Sequence, residues 1–340
     1  MPRPTTKDLA KAAGVSRATV DRVLNGREGV HQKTVDRVNK AVDELGFERN
    51  IQAANLARSK HYRFVFALPR SGDQFLEEII HQINEAGPSF MSDPIVCDVQ
   101  HIDENDPHKI AAFLGKLNAP DISGVAIMAP ETPQARDAIY RLQERGVASL
   151  PFISGQSMAN QHWVGMNNHA AGATAAMLLG RFNRQGAGSI MVVSESMQSR
   201  DSLERRLGFD AEINAHFPEL SGLPSLETYG DKDRAELIIS NTIQNNPDLR
   251  GIYILSSEAR VPASILAADP QMQRITTVAH ERTAFTEEAL KSGTLDAVIS
   301  QDAGHLVRSA IRKLKAISDG RTTHVPQERI RVEVLLKTNL

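Results

Sequence analysis

From residue 62 to about residue 320 the chain alternates short runs of β-branched and apolar residues with amphipathic helical stretches, and this restricts the fold more than any other feature. The candidate strands are 64–68, 95–99, 125–129, 151–154, 189–193, 251–255, 276–279 and 297–301. Each is a near-continuous apolar run, as expected of a parallel strand covered on both faces. Helical stretches separate them at 75–86, 107–117, 133–145, 170–182, 203–216, 234–245, 286–292 and 305–318. Strand and helix in turn predict a doubly wound α/β architecture. At 340 residues the chain is also too long for one ordinary core.

The first 60 residues follow another pattern. They carry twelve Lys/Arg against seven Asp/Glu, a net of +5, within an overall charge of −2. A basic head on an acidic body points to a polyanion met by the head alone. Thr6 is a candidate cap for a helix over 7–13 that buries Leu9, Ala10 and Ala13. Gly14 is free to take positive φ at a tight turn, with Val15 packed inside it. Ser16 caps a second helix over 17–25, whose Val20, Val23 and Leu24 face inward, and Asn25-Gly26 ends it. A third helix over 31–45 places Val35, Val38, Val42 and Leu45 at helical spacing. Two short helices about a glycine turn, the second opening on Arg17, make a helix-turn-helix pattern.

The run Thr6-Lys7-Asp8-Leu9-Ala10, followed by Ala13-Gly14-Val15-Ser16-Arg17-Ala18-Thr19-Val20-Asp21-Arg22-Val23-Leu24-Asn25, resembles the signature of the LacI/GalR bacterial repressors. The likeness continues through Val30 to Thr34, Gly46-Phe47, Asn50, and Ala53 to Ala57. It implies that Arg17 and Ala18 face base edges in the major groove, with Arg22 one turn on. The arginine fork suits O6 and N7 of guanine. It further implies that Thr5, Thr6, Ser16, Thr19, Asn25 and Lys33 hold phosphates, which sets register without reading sequence. Residues 50–58 would form a hinge helix too short to be stable alone, ordering only on operator DNA. Within it, Leu56 would be the apolar wedge that opens a minor-groove step, Ala53 the small residue beside it, and Asn50 a further DNA-binding residue. Asp21, His31 and Arg49 depart from the usual residues at their positions, and His31 is a weak cap for the third helix.

For the body the resemblance implies a periplasmic-binding-protein-like sensor of two subdomains closing on a cleft. The expected division is a helix-turn-helix domain over 1–49, a hinge and linker over 50–61, and an effector-binding domain over 62–340. Its head-proximal subdomain is expected at about 62–160 plus 290–321, and its distal one at about 161–289 plus 322–340. The residues matching family effector positions are Ser71, Asp73, Gln74, Phe75, Arg205, Lys232, Ser256, Glu281 and Gln301. Carboxylates and amides with one arginine suit vicinal hydroxyls. Lys232, with Arg70 and Arg200 in nearby loops, gives weight to an anionic effector. The expected ligand is thus a sugar, a polyol, a sugar acid or a sugar phosphate.

No nucleotide-binding glycine loop, nucleophile elbow or paired-histidine metal motif occurs, so an enzyme, a cofactor and a metal are not expected. His280 and His305 could reach the cleft, but hydrogen-bonded loop histidines are the expectation. The single cysteine, Cys97, excludes an internal disulfide and reads as a buried thiol in the apolar run 95–97. The polar N-terminus has no signal-peptide core and no apolar run spans a bilayer, so a cytoplasmic location is expected. Residues 334–340 add no leucine-heptad helix, which favours a homodimer over a tetramer. These features point to a repressor of carbohydrate or polyol catabolic genes, released from a palindromic, double-stranded operator by its effector. A solute-binding protein, whose main role is to bind a ligand, is the alternative.

Overall fold

The computed structural model describes residues 4–24, 29–45, 47, 61–70, 73–86, 90, 94–103, 105–155, 163–183, 186–269, 275–321 and 327–340. Two compact units make up the chain, Met1–Lys60 and His61–Leu340.

The first unit holds helices α1 (Thr6–Ala13), α2 (Arg17–Leu24) and α3 (Gln32–Leu45). Thr5 caps α1, one residue before the expected Thr6, because Asp8 lies three positions after it. The Asp8 amide donates to Thr5 Oγ1 at 3.4 Å, and the Thr5 amide donates to Asp8 Oδ2 at 2.8 Å. This reciprocal box satisfies donors that a helix start leaves orphaned. Gly14 ends the helix at φ +62°, and the Val15 amide turns back to Ala10 O at 3.0 Å. Ser16 Oγ accepts from the Thr19 amide at 3.1 Å and so caps α2. Leu9, Ala13, Val20, Val38 and Ala41 form the core of the three helices. Leu45, expected inside, is 38% exposed, and Ala41 faces the core instead. Asn25, Gly26, Arg49 and the expected hinge helix with Asn50, Ala53 and Leu56 lie outside the described residues.

In the second unit, strands and helices alternate as the sequence pattern requires. The first sheet has the order β2 (Ile95–Ile102), β1 (Tyr62–Pro69), β3 (Gly124–Ile127), β4 (Ala148–Pro151), all parallel. Its helices are α4 (Gln74–Ala86), α5 (Pro107–Lys116) and α6 (Pro133–Glu144). Then come α7 (Asn168–Phe182), β5 (Gly188–Ser194), α8 (Arg200–His216), β6 (Leu220–Gly222), β7 (Leu226–Glu227) and α9 (Lys232–Asn245). They are followed by β8 (Leu249–Ile254), α10 (Arg260–Ala268), β9 (Thr276–His280), α11 (Ala284–Ser292), β10 (Ala297–Ser300), α12 (Ala303–Ser318) and β11 (Glu333–Leu335). The second sheet runs β11-β10-β9-β8-β5-β6, with β7 also on β5, and its one antiparallel member is β11 on β10.

Two expectations are corrected. The strand expected at 151–154 is β4, Ala148–Pro151, because Ile153 at φ +61° cannot continue an extended strand. Residues from about 290 to 321 are expected in the proximal subdomain, yet β10 pairs with β9, Val298 opposite Ala279. The chain therefore crosses back at Gln301–Asp302, after which α12 packs on β1, β3 and β4. An apolar strand fits either sheet by pattern alone, so only the pairing decides.

Candidate functional sites: a helix-turn-helix face and an interdomain cleft

On the head, Arg17, Ala18 and Arg22 are all exposed along α2, as is Lys33 at the start of α3. The buried Val20 turns inward between them, so their exposure follows from the helical period. Thr6 and Thr19 are half-buried. Thr5 and Ser16 also act as caps, Ser16 Oγ lying 2.8 Å from Thr19 Oγ1. A helix opening on an arginine, with its apolar stripe inward, presents a cationic, donor-rich edge suited to a nucleic-acid groove.

In the body, a cavity of about 510 Å³ lies where strands of both sheets end. Six strands contribute residues from beyond their ends. Asp73 and Phe75 follow β1, Glu131 follows β3, Ile153 and Ser154 follow β4, Arg200 and Asp201 follow β5, Ser256 follows β8 and Glu281 follows β9. This is the position at which open α/β sheets bind ligands. Three non-glycine residues take positive φ among the described residues, Ile153 at +61°, Tyr229 at +53° and Glu281 at +64°. All three line this cavity. Such backbone conformations cost of order 1–3 kcal/mol each and gather at functional sites.

Arg205 is the centre of the distal wall and is only 5% exposed. Its Nε donates to Asn168 Oδ1 at 2.9 Å, Nη1 to Leu255 O at 2.8 Å and Nη2 to Glu281 Oε1 at 2.9 Å. The residue reaches this place because α7 and α8 touch backbone to backbone. A Cβ at Gly172 would lie 1.8 Å from Arg205 O, and one at Gly208 would lie 1.9 Å from His169 O. Only glycine fits such an approach. Gln301 Nε2 donates to Glu281 Oε1 at 3.2 Å, and Gln301 Oε1 accepts the Met166 amide at 3.1 Å. Burial pushes the Glu281 carboxyl up to about 7, against the opposing pull of Arg205. His280 is fully buried, 2.7 Å from the Tyr253 hydroxyl, and burial holds its imidazole well below the usual range. His305 donates to Gln327 O at 2.9 Å.

Side chains also bridge the two walls. Ser257 Oγ donates to Asp73 Oδ2 at 2.6 Å, and Arg200 Nη1 pairs with Glu131 Oε2 at 2.7 Å. Of the expected effector residues, the cavity brings together Asp73, Phe75, Arg205, Ser256 and Glu281. Gln301 touches it through Glu281. Gln74 accepts the Phe285 amide at 3.3 Å and lines a neighbouring cavity of about 760 Å³. Ser71 lies outside the described residues. Lys232 is exposed in the first turn of α9 and does not line the cleft, whereas Tyr229 does. Arg70 lines a separate cavity with His101 and Lys109. Sequence reasoning missed Glu131, Ser154, Asp201, Tyr229 and Ser257. Their common signal is position, a polar or aromatic residue just past an apolar run, which many ordinary loops share. Cys97 is half-buried, and burial raises its thiol to about 12, as for an inert structural cysteine. Among the described residues no group of three or more potential ligands is placed to hold a metal, and no helix is long and apolar enough to cross a membrane.

Both units have counterparts among known proteins. Residues 5–50 match the model of the bacterial regulatory proteins of the lacI family, and residues 64–322 match a periplasmic binding protein domain. The transcriptional regulator RegA of Clostridium saccharobutylicum is 32% identical over 136 residues, 40% of this chain and 39% of its own. PtxS of Pseudomonas aeruginosa is 26% identical over 228 residues, 65% of this chain and 62% of its own. Catabolite control protein A of Staphylococcus aureus strain MRSA252 is 24% identical over 218 residues, 64% of this chain and 63% of its own. The matched segments thus cover less than two thirds of these relatives' lengths. The fold is shared with a glucose-galactose binding protein of Geobacillus stearothermophilus, at TM-score 0.70 and 15% identity over 83% of this chain and 99% of that one. It is shared also with a periplasmic solute binding protein of Actinobacillus succinogenes solved with D-allose, at TM-score 0.71 and 12% identity over 82% and 98% of the two chains. From the head and the two-sheet body together, the chain carries a helix-turn-helix domain of the lacI family of bacterial regulatory proteins, and its body belongs to the periplasmic binding protein domain family.

Proposed function

We propose that the chain is a sequence-specific DNA-binding transcriptional regulator, a repressor that a small polyhydroxylated effector releases from a pseudo-palindromic operator. The observation that carries this reading is the presence in one chain of an exposed Arg17-Ala18-Arg22 face and a strained, buried cleft. A free solute-binding protein has no use for the first. RegA and PtxS are named as transcriptional regulators, and the solved neighbours named for or solved with sugars share the body fold.

In this reading Arg17, Ala18 and Arg22 read bases, while Thr5, Thr6, Ser16, Thr19 and Lys33 hold phosphates together with Asn25. Asn50, Ala53 and Leu56 serve the hinge. The protein acts as a homodimer, one head per half-site, inside the bacterial cell. Asp73, Phe75, Arg205, Ser256 and Glu281 hold the effector, with Gln301 positioning Glu281. A ligand touching both walls favours one closure of the cleft and biases operator binding by its differential affinity for the two closures. Selection from a random DNA pool by the full-length chain tests the reading. A two-fold symmetric site is expected to emerge, and enrichment of no sequence would contradict it.

A further inference from the structure

The charges of the cleft define what it can hold. Among the described lining residues are five carboxylates, Asp73, Glu131, Glu195, Asp201 and Glu281, against two guanidiniums, Arg200 and Arg205. Both cations are already compensated. Arg200 is shared between Glu131 and Glu204, each at 2.7 Å, and Arg205 is tied to Glu281 at 2.9 Å. Two carboxylate oxygens at the cleft, Glu281 Oε2 and Asp201 Oδ1, are buried with no hydrogen-bond partner. Glu281 as a whole is only 1% exposed. An acid in the first turn of α8 is explained by the helix dipole. A buried acceptor oxygen left unpaired is not, since such groups cost free energy until a donor reaches them.

The expectation of an anionic effector rests on Lys232, Arg70 and Arg200. The structure removes that support, because Lys232 and Arg70 lie outside this cleft and the two arginines within it face carboxylates. We propose that the effector is a polyhydroxylated amine, whose cationic nitrogen and hydroxyls donate to Glu281 Oε2 and Asp201 Oδ1, and that sugar acids and sugar phosphates are excluded. The proposal rests on the reading of this cleft as the effector site. A neutral polyol would satisfy the two acceptors but bring no countercharge to Asp201, whose side chain meets only the Ser154 hydroxyl at 3.5 Å. An anion would meet like charge in a partly desolvated site. A ligand cation beside Glu281 would offset the burial that raises its carboxyl to about 7.

The test uses thermal unfolding of the full-length chain with small-molecule extract from bacterial cells, separated by ion exchange into cationic, neutral and anionic fractions. Bound ligand raises the midpoint by mass action. The cationic fraction is expected to raise it, with Asp201→Asn responding only at roughly tenfold higher concentration, the loss of one charged hydrogen bond. Glu281→Gln is the second variant, expected to respond as weakly. A rise confined to the neutral or the anionic fraction overturns the proposal and leaves the effector cleft standing. A rise with the cationic fraction that is unchanged in Asp201→Asn, Glu281→Gln and Arg205→Ala overturns both, as does no rise with any fraction.

Discussion

The head and the cleft solve their tasks in opposite ways. The α2 face draws on residues within one helical turn or two, Arg17 to Arg22, and keeps them exposed. Its only requirement of the rest of the fold is that Val20 and its neighbours in the core hold the helix. The cleft gathers side chains from Asp73 to Glu281, more than 200 positions apart, and buries the central ones. Local sites are held by sequence spacing, whereas composite sites are held by packing and by charges that compensate one another. Mutations should therefore cost affinity in the head and stability in the cleft.

The largest effect is expected at Arg205. Arg205→Ala takes the guanidinium from the Glu281 carboxylate, Asn168 Oδ1 and Leu255 O, leaving Glu281 only the Gln301 amide as donor. Removing one partner of a buried pair typically costs about 3–5 kcal/mol. Chemical denaturation of the full chain should show that loss in the body's transition. A cost below about 1 kcal/mol, the range of surface pairs, would erase the contrast between the two regions.

Next is Arg17→Ala, where folding stability should stay within about 0.5 kcal/mol of wild type because the side chain is exposed. Operator affinity should instead fall by about 1–3 kcal/mol per half-site and tolerance at one base position should widen, read by binding to operator and scrambled DNA. Equal losses on both DNAs would make Arg17 a phosphate contact only.

The smallest expected effect is a pH slope at Glu281, which faces Arg205, Gln301 and Asp73, with the neutral His280 beside it in the chain. Its carboxyl has an ordinary value of 4.5 and a folded value of about 7. Between these the folded chain keeps a proton that the unfolded chain has released, so stability falls as pH rises through the window. Glu281→Gln cannot ionise and should flatten the profile between about pH 4.5 and pH 7, where the wild-type slope is on the order of 1 kcal/mol per pH unit. An unchanged slope would mean that Glu281 is ionised throughout.

The same contrast explains what the sequence disclosed. Ala13-Gly14-Val15-Ser16-Arg17 is legible because turn chemistry, caps and helix period act within a few residues, and the α/β alternation is legible for the same reason. The shift of the first cap from Thr6 to Thr5 is a boundary effect of one residue, since both are hydroxyls before a helix. The assignment of β10 failed because sheet membership is a long-range choice. Arg205 and Glu281 could be placed by resemblance, but their mutual pairing could not. Nor could the exit of Lys232 from the cleft and the entry of Tyr229, which depends on the positive-φ bend at Tyr229–Gly230. Asp201 carries no local sign of its buried, unpaired oxygen.

The central claim is that occupancy of the cleft is coupled to operator binding by the head. Fluorescence anisotropy on the DNA selected from the random pool tests it most directly, with wild type and Asp201→Asn each titrated against the extract fraction that raises the unfolding midpoint. The account predicts that wild type loses operator affinity by about 1–3 kcal/mol as the fraction is added. Asp201→Asn should bind the operator normally and need roughly tenfold more of the fraction for the same release. Wild type that holds its operator with unchanged affinity at concentrations saturating the midpoint shift would contradict the account.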